Sequence, residues 1–206
     1  MASKGDESLL LRALLNGATA SAIASLLVDM TPEVRVRSVA GVKGSHIGVL
    51  FDRVVDRGQT RLCDIVPAST HSGTTVVYSG RNSMPLFSRF EKRFTRTADG
   101  LVFGYNFQPF PLVGAVTGPG YFVVDESESD KSKQREKGEL LFDYTKEPPF
   151  EPPGWPEYRA NTLLGSRFVF GEMIDRVRSV SEGVFVGSAF RKGVSANVFF
   201  TLARCM

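Results

Sequence analysis

Arg93-Phe-Thr-Arg-Thr-Ala-Asp-Gly-Leu-Val-Phe-Gly-Tyr-Asn-Phe107 carries the strongest fold signal in this chain of 206 residues. Asp99-Gly100 suits the two-residue turn of a hairpin, whose central positions need the backbone freedom that Asp and above all Gly provide. On both sides the β-branched and aromatic residues recur at every second position. This pattern predicts a hairpin of strands 93–97 and 101–107, with Phe103, Tyr105 and Phe107 sharing one face.

The same texture extends outward in both directions. Toward the C-terminus, strands are expected over 111–117, 121–124, 140–144, 168–180, 184–190 and 198–202, with turns at Gly118-Pro119-Gly120, Glu182-Gly183 and Lys192-Gly193. Toward the N-terminus they are expected over 34–40, 47–55, 61–66 and 74–78, with a short helical turn between Met84 and Phe90. Residues 8–28 read instead as one helix, with Leu10, Leu11, Leu14 and Leu15 on one side and Ile23, Leu26 and Leu27 continuing it. Thr31-Pro32 ends that helix. About ten short strands punctuated by turn residues predict a mainly β protein, a single antiparallel barrel. Its divisions would be a helical arm at 1–30 and a barrel domain at 31–206. A charged loop at 125–139 and a proline- and aromatic-rich excursion at 147–158 would interrupt the barrel.

Composition narrows the class. Sixteen Phe and twenty Gly fit a β-rich chain with tight turns, and two Cys exclude a disulfide-stapled scaffold. The net charge of +3 hides an uneven distribution, with eleven Lys/Arg against five Asp/Glu over 31–97. The reading favoured for that excess is the solvated exterior of a barrel, and nucleic-acid binding is not expected. No run of eighteen apolar residues occurs, and Asp6 and Glu7 precede the first apolar stretch where a signal peptide would be basic. The expected location is therefore intracellular and not secreted.

Five segments resemble a known family. Met173-Ile-Asp-Arg-Val-Arg178, Gly183-Val-Phe-Val-Gly187 and Phe199-Phe-Thr-Leu202 resemble the closing strands of lipocalin-like (calycin) barrels, specifically the small Gly-x-Trp-x-Gly type. Leu140-Leu-Phe-Asp-Tyr144 and Tyr78-Ser-Gly-Arg81 would take the places of a core strand and of the aromatic-Gly element. Tyr78 stands where that pattern has Trp, and the glycine preceding it is missing. The resemblance implies a lipocalin-like barrel with a cavity for an apolar ligand, and it implies no catalytic group.

The residues themselves give little chemistry. Gly-x-Ser-x-Gly, Ser-x-x-Lys, Cys-x-x-Cys and Gly-Lys are all absent. His46 and His71 lie in apparent turns, Cys63 reads as a packed residue, and no spacing suggests a metal site. No catalytic residue, metal or resident cofactor is expected, and the chain is read as a non-enzyme. Asp143, Glu172 and Asp175, with Arg167, Arg176 and Arg178, are read first as structural ion pairs.

Phe103, Tyr105, Phe107, Phe168, Phe170, Arg176 and Arg178 are the candidates for a cavity lining. Phe150, Trp155 and Tyr158 are candidates for partner docking, together with Gly17 and Ser21 in a row of small residues on the N-terminal helix. The functional expectation is a non-catalytic accessory or scaffold subunit of a larger organellar complex, mitochondrial or plastid, with protein partners and peripheral membrane contact through the N-terminal helix. The alternative is a soluble carrier of a small apolar ligand such as a lipid, pigment or haem.

Overall fold

The structure, a computed structural model, describes residues 8–86, 88–108, 118–126, 138–161 and 170–205. Its centre is a closed barrel of eight antiparallel strands in simple meander order. These are β1 (Val76–Asn82), β2 (Arg89–Arg96), β3 (Val102–Phe107), β4 (Tyr121–Asp125), β5 (Leu140–Asp143), β6 (Met173–Ser181), β7 (Val184–Arg191) and β8 (Val194–Arg204). Antiparallel pairing of β1 with β8, from Tyr78 opposite Arg204 to Asn82 opposite Phe200, closes the ring and leaves no sheet edge. The mainly β, single-barrel architecture expected from the sequence is what forms, and it is compatible with a lipocalin-like fold. The hairpin at Asp99-Gly100 joins β2 to β3 with Phe94 opposite Gly104.

The N-terminal third departs from expectation. The helix read across 8–28 is two helices, α1 (Leu9–Leu15) and α2 (Ala20–Val28), separated at Asn16 and Gly17. Gly17 takes a φ of +76°, which suits a residue without a Cβ. Ser8 and Thr19 accept the N–H groups of Leu11 and Ala22 and so cap the two starts. The expected strands over 34–40, 47–55 and 61–66 are also helices: α3 (Pro32–Ala40), α4 (Ser45–Arg53) and α5 (Leu62–Ile65). Pro32 starts α3 rather than merely ending a helix, because a first-turn proline forfeits no helical hydrogen bond.

Packing explains why helix wins here. Ile47, Leu50, Phe51 and Val54 follow an i, i+3, i+4, i+7 spacing, and all four are buried. With Leu10, Leu14, Ile23, Leu27 and Val39 they cover Val180, Val184, Val186 and Ala203 on the outer face of β6–β8. Arg178 fastens this layer. Its guanidinium donates to the Phe51 carbonyl and to the Glu139 carboxylate, both at 2.9 Å, and lies 3.8 Å from the Phe51 ring centre.

Glu139 corrects part of the charged-loop reading, since it is buried against the barrel rather than solvated. Residues 127–137, the expected strand over 111–117 and Phe168 lie outside the described residues. Among the described residues, no helix is long and apolar enough to cross a membrane.

Candidate functional site

The inward face of the barrel is built mostly from aromatic rings. Phe94 meets Tyr78, Phe122 and Phe142 at 5.4 Å, and Phe122 stacks on Phe142 at 5.1 Å. Phe170 stacks on Tyr144 at 5.4 Å. Room for the rings comes partly from strand glycines. A Cβ on Gly80 would fall 2.5 Å from the Phe90 ring, and one on Gly187 would collide with Phe200. At one end the α5 segment plugs the barrel, with Ile65 and Val66 fully buried and the Tyr78 hydroxyl donating to the Ile65 carbonyl at 2.8 Å.

Within this apolar lining sits a compact polar cluster. Lys92 on β2 lies between Phe90 and Phe94 on the inward face, and its side chain is 2% exposed. Its Nζ donates to Asn106 Oδ1 at 2.8 Å, to Asp175 Oδ2 at 3.2 Å and to the Tyr144 hydroxyl. Tyr144 also donates to Asp175 at 3.1 Å, and Asn106 Nδ2 donates to Tyr144 at 3.0 Å and to the Gly120 carbonyl at 3.2 Å. Five ring faces surround the ammonium, the nearest being Phe122 at 4.6 Å and Phe200 and Tyr144 at 5.1 Å. Every member thus has a partner inside the barrel.

The electrostatics follow from burial. Loss of water pushes the Lys92 ammonium below its ordinary value, and the Asp175 charge beside it pulls it partly back. Burial raises Asp175, with Lys92 opposing, and it raises Tyr144 well above the ordinary phenol value. Chemically, amine, carboxylate, phenol and amide form one proton-sharing network. Its groups bond to one another, and Lys92 and Asp175 are each almost fully buried, so the arrangement reads as an internal ion pair. Among the described residues, no group of three or more His, Cys, Asp and Glu side chains is placed to hold a metal.

No family model, curated protein or solved structure matches this chain. Its chemistry is therefore read from the placement of its own side chains.

Of the expected cavity lining, among the described residues only Phe170 faces the barrel core. Phe103, Tyr105 and Phe107 lie on the outer face of β3. Strand alternation there turns Val102 and Asn106 inward, and Gly104 lies between them beneath the Phe122 ring. Arg176 and Arg178 also face outward, Arg176 over the Phe190 ring at 3.9 Å and Arg178 under α4. Of the three acids read as pair members, Asp175 turns inward to Lys92. Asp143 accepts from Thr145, and Glu172 pairs with Lys192 at the surface. Cys63 is exposed on α5 rather than packed.

The outward aromatic face is covered by the proline-rich segment. Trp155 packs on Tyr105 at 4.7 Å, Phe103 at 5.7 Å and Tyr121 at 6.1 Å, and its indole N–H donates to Thr75 Oγ1 at 2.9 Å. Phe150 meets Phe103 at 5.2 Å yet stays 44% exposed, and Tyr158 meets Tyr121 at 5.7 Å. The Tyr121 hydroxyl donates to the Pro156 carbonyl, which fixes the segment's far end. Gly17 and Ser21 are exposed, but they belong to the α1–α2 connection and to α2 and so do not form a continuous row on one helix.

The sequence reading missed Lys92 and its network. A signal was present: Phe90-x-Lys92-x-Phe94 puts a lysine in phase with two inward rings, and such a lysine needs an anion opposite it.

Proposed function

We propose that this chain is a non-catalytic accessory or scaffold subunit of a larger assembly, built on a filled lipocalin-like barrel. The observation that carries this reading is the occupancy of the interior by the protein's own side chains. Stacked Phe122 and Phe142, Phe94, Tyr144 and Phe170 take the space that an apolar ligand would need, and the polar groups among them satisfy one another. A carrier needs an open pocket lined by apolar walls. Its absence from this ring stack weighs toward scaffold over the lipid, pigment or haem carrier.

The surface supports partner contact. Phe150 is partly exposed on the proline-rich strap of residues 147–158, and Leu9, Leu15 and Val28 are exposed on α1 and α2. These helices are also the proposed peripheral contact with a membrane. The proposed setting is intracellular, in a mitochondrion or plastid, and nucleic acid is not a proposed partner. Kinship with the Gly-x-Trp-x-Gly barrels is part of the same proposal. Its support is Tyr78, fully buried in the barrel, with Gly80 two residues on yielding space to Phe90.

Native mass spectrometry of the protein purified gently from its source tests the reading. Recovery inside a multi-protein particle is the expected result. Recovery as a single chain near 22.6 kDa carrying a discrete small adduct would replace it with the carrier. Cell fractionation checks the compartment.

A further inference from the structure

A cleft of about 430 Å³ opens outside the barrel, where the α4–α5 connection and α5 approach the ends of β6 and β8. Arg57, Cys63, Asp64, Ser179, Ser181, Glu182 and Arg204 are among the residues that line it. The volume falls in the range of small-molecule sites. Its charges are unequally committed. Asp64 already accepts the Arg61 backbone N–H at 2.8 Å, and Arg204 pairs with the exposed Glu182 at 3.0 Å. Among the described residues, the Arg57 guanidinium has neither an ion-pair nor a hydrogen-bond partner. Ser181 is 3% exposed, and its hydroxyl also has no partner. A buried hydroxyl without a partner is uncommon in folded chains and marks a place where another molecule's polar atom fits. Arg57 is thus the guanidinium that the fold leaves open to a ligand, and it stands beside unspent hydrogen-bonding capacity.

We propose that this cleft binds a small metabolite through a carboxylate or phosphate group, with Arg57 as the principal anion contact. A guanidinium presents parallel N–H donors that match either group. The Ser181 hydroxyl supplies the second contact. A ligand held there bridges the helical layer and the barrel end. The inference does not depend on the scaffold reading, since the cleft lies outside the barrel interior.

Cys63 is an exposed free thiol on the cleft wall and serves as the reporter. The full chain is alkylated with iodoacetamide, and labelling at Cys63 and Cys205 is resolved by peptide mass spectrometry. Inorganic phosphate and succinate are added separately up to about 10 mM, with chloride at matched ionic strength as control. Saturable slowing at Cys63 is expected, reaching about tenfold when the anion is at about ten times its Kd. Arg57→Gln should abolish this protection while leaving circular dichroism and the unprotected labelling rate unchanged. Protection by phosphate alone identifies a phosphate ligand, and protection by succinate alone identifies a carboxylate. Absence of protection by either anion, or protection that persists in R57Q, overturns the proposal.

Discussion

Lys92 occupies a position that strand alternation makes inward, so its ammonium must be compensated inside the barrel or be lost. Burying an ion costs several kcal/mol, and removing one partner of such a pair strands the other. Lys92→Met should therefore destabilise the fold by about 3–5 kcal/mol at neutral pH, measured by urea denaturation. Adding Asp175→Asn should recover at least half of that loss, because the stranded charge disappears while the acceptor for Tyr144 remains. A double variant no more stable than the single one would show that the lysine acts through packing alone. The single variant has its own pH signature. Asp175, already raised by burial, is raised further without Lys92, so its carboxyl takes up a proton as the pH falls and the deficit shrinks.

Gly187 makes the complementary point about space. A side chain there meets the Phe200 ring and the wall of the barrel, so Gly187→Val should lower the thermal midpoint strongly. The same change at Gly193, an exposed turn residue with open space around it, tests φ alone and should cost less.

At the scale of elements, the strap over β3–β4 and the helices over β6–β8 do the same job on different faces, each covering apolar surface that the barrel turns outward. Trp155 is the strap's anchor through three ring contacts and one hydrogen bond. Trp155→Ala should cost about 2–3 kcal/mol and expose the 147–158 segment to protease, read as early cleavage there before global unfolding. Phe150→Ser, by contrast, alters a side chain already 44% exposed and should leave stability nearly unchanged while weakening partner recovery.

These elements also show what the sequence could disclose. The β2–β3 hairpin was legible because Asp99-Gly100 is a local signal that needs no tertiary context. Strands β4, β5, β7 and β8 were legible for similar reasons, each being a short apolar run beside glycine turns. Helices α3 and α4 were misread because Val34, Val36 and Val39 have a β-branched bias, whereas the buried spacing of Ile47, Leu50, Phe51 and Val54 was helical. Which face of β3 points inward was not legible at all. Phe103 and Tyr105 are as apolar as any core residue, and only the strap that covers them explains their outward placement.

For the whole molecule, the tyrosines control behaviour in alkali. Tyr78 and Tyr144 are fully enclosed, and burial holds both hydroxyls protonated above the ordinary value of 10.0. The folded chain thus keeps protons that the unfolded chain releases near that pH, and stability falls as the pH rises past it. Lys92 acts in the opposite sense. Its folded value is lowered, so the unfolded state holds the extra proton and this contribution grows with pH until the unfolded lysine itself deprotonates. With two enclosed phenols against one amine, the urea midpoint should decline from about pH 10 upward, with the last two of the five tyrosines ionising only as the chain unfolds. Ionisation of all five tyrosines while the fold persists would contradict the enclosure of Tyr78 and Tyr144.

The seam between β1 and β8 has a consequence for biosynthesis. Tyr78 must find Arg204, a residue translated long after it, so every nascent chain lacks its last stave until β8 clears the ribosomal tunnel. Throughout that interval β1 and β7 both present open backbone, and the aromatic lumen has one wall missing. A ring closed by its last strand therefore leaves the growing chain open to aggregation until that strand is available.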